Sequence, residues 1–118
     1  MLLLAALAAP TWAQQQLNFT FNYVLAVNQN AVPLQPGGVI PFPATPLNSV
    51  SQAVLDITNT GGPALVQNVA ISGSAFSVQG LPAFPVLLNF QQTLQVQIRY
   101  QPSGANTDTG QIVPKFPL

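Results

Sequence analysis

The chain has 118 residues and a net charge of zero, and its only charged side chains are Asp56, Arg99, Asp108 and Lys115. It has no His, Cys or Glu, which excludes imidazole and thiolate catalysis and the ligand sets of zinc, haem and iron–sulfur sites. Two cations offset by two anions build no basic groove for nucleic acid, so no cofactor, metal site or nucleic-acid partner is expected. Solubility rests on neutral groups, 14 Gln, 9 Asn, 8 Thr and 6 Ser, and a surface with so little charge repulsion favours association.

The first element is apolar. Leu2 to Ala9 reads Leu-Leu-Leu-Ala-Ala-Leu-Ala-Ala and ends at Pro10, with Thr11-Trp12-Ala13 before the polar Gln14-Gln15-Gln16. The run is too short to span a bilayer, which takes roughly 20 residues. It fits a secretory signal over residues 1–13, cleaved after Ala13. No Lys or Arg precedes it, so the signal is read as incomplete at its start. Residues 1–13 are then expected to pack on nothing in the rest of the protein, and no membrane span is expected in the mature chain.

Beyond it, period-two alternation recurs and helical periodicity does not. Residues 14–37 read as an N-terminal strand and linker: Phe19, Phe21, Tyr23, Leu25 and Val27 share one face, and Asn28 to Pro36 is turn-rich. A short strand from Val39 to Phe42 is bounded by prolines, which suits a sheet edge. Gln52 to Asn59 is the cleanest central strand, with Ala53, Leu55 and Ile57 on one face. Asn59-Thr60-Gly61-Gly62-Pro63 then makes a turn in which Asn59 and Gly61 suit positive φ. Leu65–Ser72, Ala75–Gln79, Val86–Phe90, Leu94–Gln101 and Thr109–Val113 complete the set of strands, separated by Gly, Pro and Asn. Short strands at this spacing predict an all-β, antiparallel sandwich, with Leu55, Ile57, Val69, Ile71, Phe76, Val96, Ile98 and Tyr100 between its sheets. Asp56 and Arg99 share the outward parity, so a cross-strand pair is expected where Gln52–Asn59 meets Thr93–Gln101.

Three stretches carry a resemblance: Phe42 to Gly62, Ile71 to Pro82, and Leu94 to Gly104. Phe42 ends a short strand, Asn59-Thr60-Gly61 closes the next, Ile71-Ser72-Gly73 leads to Phe76, and Tyr100-Gln101-Pro102 follows a long alternating strand. In order and spacing they resemble a bacterial immunoglobulin-like module of the ASH/Hydin type, a choice-of-anchor D-like domain, over roughly residues 38–113. The resemblance implies an immunoglobulin-like domain over 38–118 with structural roles for Asn59, Gly61, Phe76, Tyr100 and Pro102, and neighbouring repeats in a longer chain. It supplies no catalytic residues. Such a domain closes with a further strand after Thr109–Val113, and only Phe116-Pro117-Leu118 stand there, so the last strand is expected to be incomplete and a sheet edge open to a protein or cell-surface partner.

Asp108-Thr109-Gly110 matches the aspartic-protease triplet, in which two aspartates share a proton. Here Ala105-Asn106-Thr107 precede it, and a polar loop entering a strand accounts for it better. Asn106 with Asp108 offers a calcium ion one carboxylate, too few for a site of 6–8 oxygens. Asn18-Phe19-Thr20 has the form of a glycosylation acceptor, which strand alternation also explains. Most of Phe19, Phe21, Tyr23, Phe42, Phe76, Phe90 and Tyr100 are expected in the core. The function expected is a non-enzymatic structural or adhesion-type module of an exported, surface-associated or periplasmic bacterial protein. The alternatives are a carbohydrate-binding module and a strand-exchange domain of pilin or chaperone type.

Overall fold

The computed structural model describes residues 2–8, 19–35, 38–104 and 108–116. Its regular elements are strands: β1 (Leu2–Ala8), β2 (Phe19–Leu25), β3 (Ala31–Pro33), β4 (Val39–Pro46), β5 (Ser51–Asn59), β6 (Ala64–Val66), β7 (Asn68–Ser72), β8 (Phe76–Gln79), β9 (Val86–Leu88), β10 (Thr93–Tyr100) and β11 (Asp108–Lys115). Alternation in sequence becomes alternation in burial. Ala53, Leu55, Ile57 and Asn59 of β5 are buried, as are Leu94, Val96, Ile98 and Tyr100 of β10, while the residues between them reach solvent at least in part.

Two sheets result. One has the order β3-β2-β5-β10-β8 and is antiparallel throughout. The other has the order β4-β1-β11-β7 and is antiparallel except where β1 runs parallel to β11. A two-stranded ribbon, β6-β9, stands apart from both. The inner faces meet in one core. Phe42 of β4 lies 5.6 Å, centroid to centroid, from both Phe76 of β8 and Tyr100 of β10, and Phe19 of β2 stacks on Phe116 at 4.6 Å. Each large apolar side chain buried this way contributes roughly 1.5–3 kcal/mol. The fold is the expected all-β sandwich.

Some details differ from the sequence reading. Ile71 is only partly buried: it stands on the outermost strand of its sheet, next to the exposed Ser72 at which that strand ends. Leu65–Ser72 is not one strand: it breaks at Gln67, whose N–H donates to Lys115 O at 2.7 Å, and the two halves join different partners, β9 and β11. The proline-bounded strand runs on from Phe42 to Pro46. Pro41, Pro43 and Pro46 are tolerated because β4 is also an edge, where a missing N–H breaks no interior ladder.

The largest departure is at the start. Leu2–Ala8, expected to pack on nothing, forms β1 and fills the space between β4 and β11. Leu7 is fully buried, in the same core as Ile40 and Ile112. An uncharged apolar stretch must satisfy its backbone groups somewhere, and here two facing strand edges supply the partners. The expected cleavage point after Ala13 lies outside the described residues.

Candidate functional site

The motif residues gather at one end of β10. Tyr100, the last residue of the strand, is fully buried, and its ring lies 5.1 Å from that of Phe76 at an interplanar angle of 26°. A buried phenol needs a partner for its O–H. Tyr100 Oη donates to Asp108 Oδ2 at 2.9 Å, across the loop that joins β10 to β11. Burial, then the bond to Asp108 and its negative charge, push the Tyr100 pKa up to about 12. Pro102, fully buried, ends the pairing, and its carbonyl accepts from Asn48 N at 2.9 Å.

Glycines make room for the rings. A Cβ on Gly110 would overlap the Ser72 carbonyl oxygen and stand 2.8 Å from Phe76 Cδ2. Gly73, at φ +100°, would bring a Cβ to 2.7 Å from Thr109 O and 3.0 Å from Phe76 Cδ2. The Asp-Thr-Gly triplet is therefore used at both ends, Asp108 to hold the Tyr100 hydroxyl and Gly110 to let β11 approach Ser72 and Phe76. The roles of Gly73 and Gly110 were not read from the sequence. Gly73 and Gly110 both border the Phe76 ring, but they are far apart in sequence and only the register of β11 on β7, Gln111 opposite Ser72, brings them together.

At the other end of β5, Asn59 is fully buried yet fully engaged. Its Nδ2 donates to Gly62 O at 2.9 Å and Leu88 O at 2.8 Å, and its Oδ1 accepts from Gly61 N at 2.9 Å. Its backbone N donates to Gln92 O and its backbone O accepts from Gln91 N. Asn59 thus pins the turn after β5 to the segment between β9 and β10. Asn59 and Gly61 do not use positive φ as expected; that conformation occurs at Gln91, Gly73 and Gly80, among others. The turn is set by side-chain hydrogen bonds instead.

The expected Asp56–Arg99 pair is not formed. Across the β5–β10 ladder Asp56 faces Gln95 and Arg99 faces Gln52. Both charges have the outward parity, but they are offset by four positions, about 14 Å at 3.4 Å per residue. Parity fixes the face of a sheet and leaves register open. At one end of the ladder Thr58 and Thr93 face each other and bond hydroxyl to hydroxyl at 2.8 Å. Arg99 reaches Gln101 Oε1 at 3.5 Å. Around it Val24, Gln52, Val54, Gln79 and Gln97 line a shallow cleft of about 240 Å³ on the outer face of the five-stranded sheet.

No family model, curated protein or solved structure matches the chain. Among the described residues no three His, Cys, Asp or Glu side chains group together as a metal would need, and no helix is long and apolar enough to cross a membrane. Asn106 and Asn18 lie outside the described residues. Six of the seven aromatics considered for sugar stacking are buried, and Phe90, at 60 % exposure, faces solvent. What the arrangement does chemically is hold a fold: Phe42, Phe76, Tyr100 and Asp108 lock the sheets together, and Asn59 pins the turn after β5.

Proposed function

We propose that the protein is a non-enzymatic structural or adhesion-type immunoglobulin-like module of an exported bacterial protein. The observation that carries the reading is the use of Asp108: the carboxylate in the triplet that most resembles catalytic chemistry accepts the buried Tyr100 hydroxyl. The resemblance of Phe42, Asn59-Thr60-Gly61, Phe76 and Tyr100-Gln101-Pro102 to ASH/Hydin-type modules supports the same reading, and the apolar run before Ala13 supports export. Sheet edges and end loops are where such a module meets a neighbouring repeat or a surface partner.

Export is the testable core of this reading. The full chain, expressed in a bacterium with a lysine-bearing start added before Met1 and a C-terminal tag, is expected outside the cytoplasm with Gln14 as its first residue. Secreted material that still carries Leu2–Leu7, or tagged protein confined to the cytoplasm, would contradict it. A strand-exchange role is the second reading, and the observation that favours it is β1 itself, seated between two strands from distant parts of the chain.

A further inference from the structure

The geometry points to the slot between β4 and β11 as an acceptor site for an uncharged aliphatic β-strand donated by a partner protein, with Leu2–Ala8 as the plug that holds it until export. The inference rests on the export reading for how the plug is untied, namely hydrolysis of the Ala13–Gln14 peptide bond, after which residues 1–13 are held without a covalent tether and exchange with a donated strand.

The slot has two edges and a floor. On one edge β4 offers Val39–Pro46, the outermost strand of its sheet among the described residues. On the other, β11 offers Asp108–Gln111, paired in parallel with Ala5–Ala8. β1 bonds to both and is all that joins them: with β1 removed, β4 has no partner left in its sheet and β11 keeps only β7. The floor is apolar, since Leu7, opposite Ile40 on one side and Gly110 on the other, is 0 % exposed in a core shared with Ile40 and Ile112. Backbone edges of this kind give an added strand its affinity, and pockets for alternate side chains give it selectivity.

The resident strand also specifies the chemistry of its replacement. It carries no charge over seven residues, its leucine at position 7 fills the floor, and it runs parallel to β11 while antiparallel to β4. A replacement strand needs the same three properties. A charge at the Leu7 position would be buried with nothing to pair with, which is strongly unfavourable.

The test uses the full chain with a specific protease site in place of Gln14–Gln16. The folded protein is cut, unfolded in denaturant to release residues 1–13, freed of them by gel filtration, and returned to buffer with a dye-labelled peptide of the Leu2–Ala8 sequence bearing a solubilising tail, or with the same peptide carrying Leu7→Asp. The cut protein is expected to take up the first peptide one to one and to hold it at least about tenfold more tightly than the L7D peptide. If cutting unfolds the chain, the first peptide should restore the melting transition and the L7D peptide should not. No uptake, equal uptake of both peptides, or failure to restore folding would overturn the assignment. So would cut copies that pair with one another and are not separated by the peptide, because the slot would then take a second copy's edge. Secretion plays no part in this titration, so the slot and the export reading fail independently.

Discussion

Tyr100 and Asp108 are eight residues apart in sequence and 2.9 Å apart in space. Their bond closes the loop between β10 and β11 and ties the five-stranded sheet to the four-stranded one, since the two residues belong to different sheets. Tyr100→Phe keeps the ring stacked on Phe76 and removes only the O–H. A hydrogen bond to a charged acceptor is worth roughly 1.5–3 kcal/mol, and Asp108, being partly exposed, regains water. A loss of about 1–2 kcal/mol in denaturant unfolding is expected.

The same bond predicts an alkaline limb. The phenol's pKa is raised from 10.0 to about 12 on folding, so between these values the unfolded chain releases a proton that the folded chain keeps. Stability from this group is complete below pH 10 and declines as pH rises toward 12. Unfolding curves for the native chain and Tyr100→Phe should therefore converge over that window. Parallel curves would show that the Tyr100 proton is not linked to folding.

Asn59 offers a sharper contrast. Asn59→Ala leaves Gly61 N, Gly62 O and Leu88 O without their partner, and an expected cost of about 2–4 kcal/mol follows from stranding buried polar groups. Asn59→Asp is nearly isosteric but turns the Nδ2 donor into an acceptor facing two carbonyls. It should cost more than alanine at neutral pH and recover part of the loss in acid, where a protonated carboxyl donates again. An Asp variant as stable as the native chain would remove Asn59 from this role.

Gly110→Ala puts a methyl into the Ser72 carbonyl and the Phe76 ring, so either β11 or the ring must move. A destabilisation of about 3 kcal/mol or more is expected. Gly62 and Gly104 have nothing within 4 Å of a built Cβ, and alanine at either should shift the melting temperature little. The three variants together separate close approach from a general intolerance of alanine for glycine.

Asp56 and Arg99 make the opposite prediction, of no coupling. At roughly 14 Å along the ladder and beyond a Debye length of about 8 Å at physiological salt, a double-mutant cycle of Asp56→Asn and Arg99→Gln should return less than about 0.3 kcal/mol. A value above 1 kcal/mol would require a different register for β5 on β10.

Strand existence and facing were legible in the sequence because the period of two is local: Leu55 and Ile57, or Val96 and Ile98, declare their face without knowledge of any partner. Register was not, and the Asp56–Arg99 offset is the example, since it depends on where Thr58 meets Thr93. Neighbour relations between distant strands were not legible either. Nothing local in Ser72 or Gly110 says that they touch, so the sequence reads the Asp-Thr-Gly triplet only as a polar loop entering a strand, and the part played by Gly110 emerges with β11 beside β7. Leu2–Ala8 was missed as a strand because its run has no alternation; only the two edges that receive it make it one. Of the candidate site, Phe76 and Tyr100 were placed correctly as core from alternation, whereas the hydrogen bonds that make Asn59 and Asp108 indispensable belong to the folded chain alone.

The β11 strand sits inside its sheet, between β1 and β7, yet follows both of them in the chain. As the polypeptide leaves the ribosome, Ala5 must wait for Asp108 before the parallel rung can close. Pairing between segments so far apart in sequence is slow to form. Until Asp108–Gln111 have been made, the four-stranded sheet has no interior, and β4 is the one neighbour that β1 has to pair with.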